Sequence, residues 1–203
     1  MKDFETYPKE TEMVDFLNIA LSGDVGTGTT TLGRNLASSL GWQHINAGEY
    51  FRSWHREKGI PLENVKDIPP EVDRKLDERF LRDMQSIGQM VFESHLAGWL
   101  ARDLPRTFKI LCVADKEVTM TRIASREGWD IVEAEKFSEM RSRGLNEKFE
   151  ALYGVTNPYD PSLFDAVIDT TRMSVGEVLD SALHQFLRRL PEGHGLARIL
   201  EVD

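Results

Sequence analysis

The sequence has almost no cysteine and no long apolar run. Cys112 is the only cysteine among 203 residues, so no disulfide can form within the chain. It stands in the apolar run FKILCVA, which predicts a buried, unreactive thiol and fits a reducing cytoplasm. No stretch approaches the ~18 apolar residues of a membrane-spanning helix, and the mixed-charge start MKDFETYPKETEMVDF lacks the apolar core of a signal peptide. We therefore expect a soluble cytoplasmic protein that does not bind membranes.

Positive charge is also scarce. Lys and Arg number 25 against 34 Asp and Glu, a formal net charge of -9 at pH 7. This balance, and the lack of a nucleic-acid-binding motif, argue against a nucleic-acid or membrane-surface binder but leave small phosphorylated ligands open. We also expect no structural zinc site, because the histidines lack metal-ligand spacing with cysteine or acidic residues.

Short apolar runs alternate with helical patterns along the chain. The runs are FLNIAL, QHIN, QMVFE, FKILCVA and DAVIDT. Each has the length of a strand and is followed by apolar residues at helical spacing. This alternation predicts βαβ units and a three-layer α/β sandwich with a central five-stranded parallel sheet, which binds ligands beyond the carboxyl ends of its strands. With 40% hydrophobic residues, a chain of this length has room for one core.

Two segments between strands are candidates for additions to that core. The proline-containing loop GIPLENVKDIPP precedes a charged helix predicted at Glu71–Met84, and together they indicate an inserted lobe. A second charged helix, predicted at Ile131–Tyr153, is too polar for the core and is typical of a mobile cover.

A glycine-rich stretch, SGDVGTGTTT, follows the first predicted strand and opens the first predicted helix. Glycines there allow successive backbone N–H groups to turn toward one phosphate, and the dipole of the following helix adds to the attraction. We expect this loop to hold the phosphates of ATP, with the Thr30 hydroxyl as a ligand of Mg²⁺.

Thr29 stands where a P-loop kinase has lysine. Cations from other parts of the chain must therefore stabilise the negative charge that develops on the phosphates during transfer. A glycine-rich turn without a ligand is the alternative, which the preceding strand and the following TTT disfavour. The predicted ATP-binding residues are Gly23, Asp24, Val25, Gly26, Thr27, Gly28, Thr29, Thr30 and Thr31.

Basic side chains follow the other predicted strands. NAGEYFR, directly after the second strand, would aim the planar guanidinium of Arg52 at an acceptor phosphate. TRIASRE places Arg122 and Arg126 one helical turn apart, and RSRGLNEK adds Arg141 and Lys148 on the predicted cover. Each cluster alone is a weak signal, but their order along the chain favours phosphoryl transfer.

Three acidic residues are candidates for the same site. Glu93 ends the third predicted strand, where a carboxylate can hold part of the magnesium shell. Asp73 and Asp77 lie at i and i+4 in EVDRKLDERF and could accept hydrogen bonds from an exocyclic amine of the acceptor base, such as that of cytosine. The alternative for this pair is a solvated acidic face that pairs with Arg74 and Arg79.

In their order along the chain, SGDVGTGTTT, INAGEYFR, LAGW, TRIASREG, ALYGV and FDAVIDTTRMSVGEV resemble the archaeal-type cytidylate kinases of the P-loop nucleoside monophosphate kinase group. The resemblance spans about Leu17 to Leu183, and in that branch threonine in place of the loop lysine is usual. It implies one kinase domain at 16–190, with an acceptor-binding insertion at about 47–86 and a lid at about 129–156. Residues 1–15 are then an N-terminal extension and residues 191–203 a C-terminal tail.

The resemblance also implies roles for single residues. Arg52 takes the acceptor phosphate, while Arg122, Arg126, Arg141 and Lys148 serve the donor nucleotide and the transferring group. The implied substrate-binding residues are Ala47, Gly48, Arg52, Asp73, Glu93 and His95, and the implied magnesium ligands are Thr30 and Glu93. ATP and Mg²⁺ are the expected cofactors, a nucleoside monophosphate is the expected partner, and a monomer is the simplest assembly.

The sequence departs from the family pattern at two places. Ser94 and His95 stand where Gly and Arg are expected, and Lys148 and Phe149 where Arg and Tyr are expected. A neutral imidazole offers one N–H in place of a charged fork, and lysine offers a point charge. These exchanges predict a slower enzyme or one with another acceptor. The alternative for the histidine is packing at the edge of the pocket.

Two classes of function follow from these residues. The first is phosphoryl transfer from ATP to CMP or dCMP, with another monophosphate or small acceptor as the alternative. The second is a nucleotide-binding regulatory module that has lost efficient transfer. The presence of Arg52, Arg122, Arg126 and Arg141 together favours the enzyme, because holding a nucleotide does not require all four.

Overall fold

The computed structural model describes residues 17–62, 64–192 and 194–196. Most of the predicted N-terminal extension and C-terminal tail therefore lies outside the described residues. The strands are Asn18–Gly23 (β1), Gln43–Asn46 (β2), Met90–Glu93 (β3), Thr107–Val113 (β4) and Ala166–Asp169 (β5). The helices are Thr29–Leu40 (α1), Ala47–Lys58 (α2), Pro70–Ser86 (α3), Ala97–Leu100 (α4), Lys116–Glu127 (α5), Ile131–Tyr153 (α6) and Val175–Leu187 (α7), with short 3₁₀ turns at Val65–Asp67 and Pro161–Leu163.

The five strands form one parallel sheet in the order β2-β3-β1-β4-β5. All five predicted strands are present, and the predicted α/β architecture is confirmed. From β1 the chain builds the sheet outward in both directions, with β3 and β2 on one side and β4 and β5 on the other. The change of direction at β1 is a topological switch point, and such a point opens a crevice at the carboxyl edge of the sheet. The loop between β1 and α1 starts at that crevice.

Alternating side chains of the strands build a core on each face of the sheet. Ile19 and Leu21 of β1 pack with α1 and α7, whereas Ala20 faces the opposite side with α3 and α4. The same alternation separates Val91 from Phe92 in β3. A parallel sheet buried on both faces holds its carboxyl edge rigidly, which fixes the positions of the residues that follow each strand.

The long helix α6 has defined ends and one buried face. Asp130 and Glu133 form a capping box at its start, and Gly154 ends it with a positive φ of 69°. Its bounds agree with the predicted helix, but the expectation that it is too polar for the core was wrong, because Ala134 and Phe149 belong to core clusters. Its buried residues are Ala134, Arg141, Gly144, Lys148 and Phe149.

Three further features from the sequence are the single cysteine, the lack of a membrane-spanning helix and the C-terminal tail. Cys112 is buried, and burial raises the pKa of its thiol to about 12, which makes it unreactive. None of the described helices combines the length and the apolar character needed to cross a bilayer. Leu196, within the predicted tail, packs against the core.

Candidate active site

The loop from Gly23 to Thr30, called the phosphate loop below, connects β1 to α1. A Cβ atom on Gly23 would lie 2.7 Å from the carbonyl oxygen of Cys112, so no side chain fits there. Gly26 has a φ of +84°, and its place against Thr119 leaves no room for a Cβ atom either. The hydroxyl of Thr27 donates to the Asp24 carbonyl at 2.7 Å and closes the turn. The loop therefore ends at the amino terminus of α1, where backbone N–H groups favour an anion.

The Glu93 carboxylate lies at the centre of a hydrogen-bond cluster beside this loop. Its Oε1 accepts from Thr30 at 2.6 Å and from Thr29 at 3.1 Å. Its Oε2 lies 2.8 Å from Asn46 Nδ2 and 3.1 Å from His44 Nε2. The structure thus brings together Thr30 and Glu93, the two residues predicted to hold magnesium.

The donor set suits Mg²⁺, because a hydroxyl and a carboxylate are hard oxygen ligands and Mg²⁺ needs only one or two of them besides phosphate and water. No group of three or more His, Cys, Asp or Glu side chains among residues 17–62, 64–192 and 194–196 could hold a metal by itself. His44 and Asn46 were missed in the sequence, although the place of Asn46 at the end of a strand was a usable signal.

Arg122 is hydrogen-bonded to the backbone rather than facing the phosphate loop as a free cation. It donates to the Gly26 carbonyl at 3.2 Å, and to the carbonyl and hydroxyl of Thr170 at 2.7 and 2.9 Å. The Thr170 hydroxyl in turn donates to the Thr27 carbonyl at 2.9 Å. This chain of contacts ties α5 and the end of β5 to the phosphate loop, a bracing role that the sequence did not reveal.

Three more of the predicted site arginines line the cavity beside the loop. They are Arg52 on α2, Arg126 on α5 and Arg141 on α6. Arg141 is buried and donates to the Leu62 carbonyl at 2.8 Å, while exposed Arg126 pairs with Glu127 at 2.7 Å. Burial and the nearby charge of Arg52 lower the pKa of Arg141 to about 10. A buried arginine close to another arginine is suited to binding an anion that neutralises both.

His95 lies at the same cavity and contacts a tyrosine. Its Nδ1 is 2.6 Å from the Tyr159 hydroxyl. Burial and the charge of Arg141 lower the pKa of His95 to about 4, so the imidazole is neutral at pH 7. It therefore offers a hydrogen bond without the charge of the arginine expected there.

The two aspartates of α3 are buried, which excludes the solvated acidic face considered for them. Asp73 and Asp77 are 7% and 8% exposed, and Arg79 pairs with Asp83 instead. Tyr153 donates to Asp77 at 2.5 Å. Burial raises the pKa of Asp77 to about 6, although the bond from Tyr153 opposes the change.

Lys148 contacts the predicted acceptor insertion. Its Nζ is 2.6 Å from Asp73 Oδ2 and donates to the Val65 carbonyl at 3.0 Å. Burial lowers the pKa of Lys148 and raises that of Asp73, and the contact between them opposes both changes. The expected role of Lys148 at the transferring group stays a prediction, since its contacts lie with the acceptor insertion and not with the phosphate loop.

The helix α6 also reaches the phosphate loop. The Ser142 hydroxyl lies 3.1 Å from Oδ1 and 3.2 Å from Oδ2 of Asp24. Asp24 Oδ1 also accepts from the Val25 N–H at 2.7 Å. One helix therefore contacts both the phosphate loop and the acceptor insertion.

A cavity of about 710 Å³ runs between these groups. It is lined by the predicted residues Ala47, Gly48 and His95 and by all the predicted ATP-binding residues except Thr27, which is buried and braces the loop. Such a volume is typical of a small-molecule site.

The sequence matches the family model described as an AAA domain over residues 19–141. A cytidylate kinase of Methanopyrus kandleri is 35% identical over 186 residues, which cover 84% of this chain and 95% of that protein. A cytidylate kinase of Pyrococcus abyssi is 37% identical over 166 residues, which cover 78% of this chain and 87% of that protein.

Solved structures agree in fold at low sequence identity. A shikimate kinase of Acinetobacter baumannii has a TM-score of 0.56 at 18% identity and covers 85% of this chain and 94% of its own. A gluconokinase of Sinorhizobium meliloti has the same TM-score at 18% identity and covers 87% of this chain and 94% of its own. At these identities the likeness concerns the fold alone.

Proposed function

Because the chain belongs to the cytidylate kinase family of P-loop kinases, we propose that it transfers the γ-phosphoryl group of ATP to CMP or dCMP, giving CDP or dCDP. It is a nucleoside monophosphate kinase that uses ATP. The choice of cytidine nucleotides and the roles of single residues are the proposed part.

The donor phosphates bind at the phosphate loop. Backbone N–H groups at the start of α1 hold their oxygens, and Arg122 keeps the loop in shape through the carbonyls of Gly26 and Thr170. Thr30 and Glu93, which lie within hydrogen-bond distance of each other, would hold Mg²⁺, and the ion would neutralise part of the phosphate charge.

The missing loop lysine is replaced by cations from other elements. Thr29 donates to Glu93, so its hydroxyl stabilises the carboxylate rather than carrying positive charge to the phosphates. Arg52 and Arg141 line the same cavity and supply that charge. Arg126 lies at its exposed rim.

No protein nucleophile is needed. A phosphate oxygen of CMP attacks the γ-phosphorus of ATP directly, the bond from that phosphorus to the β–γ bridging oxygen breaks, and ADP leaves. The protein contributes position and charge. Arg52 holds the acceptor phosphate with its planar fork, and His95 adds a neutral hydrogen bond. The cover formed by α6 excludes water, so that ATP is not hydrolysed instead.

The acceptor base lies at the other end of the cavity, between Asp73 and Asp77. The exocyclic amine of cytosine has two N–H groups to donate to this pair. Uracil presents a carbonyl oxygen at the same position, which a carboxylate repels. Two buried acidic groups at this end of the cavity thus favour cytosine.

One observation supports this arrangement above the others, namely that a single cavity joins the phosphate loop, Arg52 and the buried aspartates of α3. A protein that only held ATP would not need buried carboxylates at the far end of its pocket. A cavity with the phosphate loop at one end and buried acidic groups at the other supports the proposal that two nucleotides bind phosphate to phosphate.

The test is to incubate the purified protein with Mg-ATP and each of CMP, dCMP, UMP, AMP and dTMP, and to measure the diphosphates by chromatography. We expect CDP and dCDP to form at least about tenfold faster than the other products. Faster product from another monophosphate would overturn the choice of acceptor. No product at all, with ATP binding intact by calorimetry, would instead indicate a nucleotide-holding protein.

A further inference from the structure

Two contacts join the lid helix α6 to the buried aspartates of α3. Lys148 Nζ lies 2.6 Å from Asp73 Oδ2, and the Tyr153 hydroxyl donates to Asp77 Oδ2 at 2.5 Å. All four side chains line the cavity. The contacts cross between the predicted lid and the predicted acceptor insertion, so they exist only when these two parts are packed together.

Both contacts use the same oxygen of each carboxylate, Oδ2. The Oδ1 atoms of Asp73 and Asp77 receive no hydrogen bond from another residue in the described part of the chain. A carboxylate held by one oxygen has a fixed orientation, and its second oxygen can accept from a ligand. Lys148 and Tyr153 therefore determine where the acceptors of the pocket lie.

Lys148 itself is firmly held. Its Nζ donates to the Val65 carbonyl at 3.0 Å and lies 5.9 Å from the ring centre of Phe51. Its side chain is 8% exposed. Burial raises the pKa of Asp73, and the ammonium of Lys148 beside it opposes that change and so favours the ionised carboxylate.

We propose that Lys148 and Tyr153 determine acceptor specificity, by positioning Asp73 and Asp77 for the amino group of a cytosine base. The inference rests on the proposed function, because it assigns the base-binding end of the same cavity. Residues of both α3 and α6 then select the base. Lys148 positions the carboxylate that binds the acceptor base and does not act on the transferring phosphoryl group.

The test compares Lys148→Met and Tyr153→Phe with the wild type. The readout is the ratio of kcat/KM for CMP to kcat/KM for UMP at saturating ATP, together with the KM for ATP. We expect each variant to lower the ratio at least about tenfold, mainly through a higher KM for CMP, with the KM for ATP unchanged within about twofold. Lys148→Arg keeps the charge and should restore most of the ratio.

Lys136→Met is the matched control, because it makes the same chemical change at an exposed position of the same helix. Its ratio should equal that of the wild type. Lys148→Met leaves the buried Asp73 carboxylate without its ion-pair partner. The double variant Lys148→Met with Asp73→Asn removes that carboxylate charge as well. It should show the same loss of preference for CMP over UMP.

The inference is overturned if folded Lys148→Met and Tyr153→Phe keep the wild-type ratio, or if they slow CMP and UMP equally. Failure of the proposed function looks different, because the wild type itself would then not prefer CMP over UMP. A wild type that prefers CMP, with variants that do not, supports both.

Discussion

The Thr30 hydroxyl donates a hydrogen bond of 2.6 Å to Oε1 of Glu93 and so joins the phosphate loop to the end of β3. Asn46 and His44 hold the other oxygen of the same carboxylate from β2. Three neighbouring segments at the carboxyl edge of the sheet are thus fixed around one acidic side chain, and the magnesium site proposed there is already ordered in the protein alone.

Replacing Glu93 by glutamine should lower kcat by about 10- to 100-fold, because an amide group cannot accept from all four of its present neighbours. The measurement is kcat at saturating ATP over a range of Mg²⁺ concentrations, and the variant should require more Mg²⁺. Glu57→Gln, an exposed change on α2, is the control. Full activity with unaltered Mg²⁺ dependence would show that the carboxylate is not part of the magnesium site.

Arg52→Ala should reduce kcat/KM for CMP by about 10²- to 10³-fold, since it removes the charged fork that we assign to the acceptor phosphate. The affinity for ATP, measured by calorimetry, should stay within about twofold because Arg52 is not part of the phosphate loop. Arg56→Ala, one turn further along the same helix and exposed, should behave like the wild type. An equal loss of ATP affinity would place Arg52 at the donor instead.

Arg141→Met should separate stability from activity. Arg141 is buried near Arg52, and its guanidinium donates a hydrogen bond to the Leu62 carbonyl. Arg141 forms no ion pair with a carboxylate among the described residues. Removing its buried charge should therefore raise the free energy of unfolding by about 1 kcal/mol, while kcat falls by about 10²-fold or more. Urea unfolding and steady-state kinetics measure the two effects, and exposed Arg143→Met is the control. A destabilised variant with normal kcat would contradict the assignment.

Asp77 should make the stability of the protein depend on pH. Its pKa is raised from 3.8 to about 6 in the folded state, so folding favours the protonated acid. The stabilisation is complete below pH ~4 and is lost as the pH rises through ~6, a total of about 3 kcal/mol. Asp77→Asn, which cannot ionise, should therefore match the wild type at pH 4 and become the more stable of the two by pH 7. Urea unfolding at both values measures the difference, and a constant difference would contradict the raised pKa.

Features that depend on the local pattern of residues could be predicted from the sequence. The bounds of α6 follow from helical spacing and from Asp130 before and Gly154 after it. Glu93 could be placed beside Thr30 because the ends of parallel strands meet at one edge. Contacts between distant segments were not readable in this way. Nothing in the local pattern pairs Lys148 with Asp73 or Arg122 with Thr170, because each pairing depends on how two helices or loops pack.

Burial explains the remaining differences. The same EVDRKLDERF segment is compatible with a solvated face or a buried pair, and only the position of Tyr153 and Lys148 against α3 decides between them. The neutrality of His95 likewise depends on Arg141, which lies far away in sequence. Ionisation states are set by surroundings that the chain acquires only when it folds.

The helix α6 touches Asp24 of the phosphate loop through Ser142 and the aspartates of α3 through Lys148 and Tyr153. In the proposed arrangement the nucleotide that binds first holds this helix in place, and the second then bears less of the entropic cost of ordering it. Thermodynamic linkage then requires that ATP strengthen CMP binding by the same factor by which CMP strengthens the binding of ATP. Calorimetric titrations in both orders, with a non-hydrolysable ATP analogue, should give equal factors above one. A single helix would thus make the binding of the two substrates cooperative.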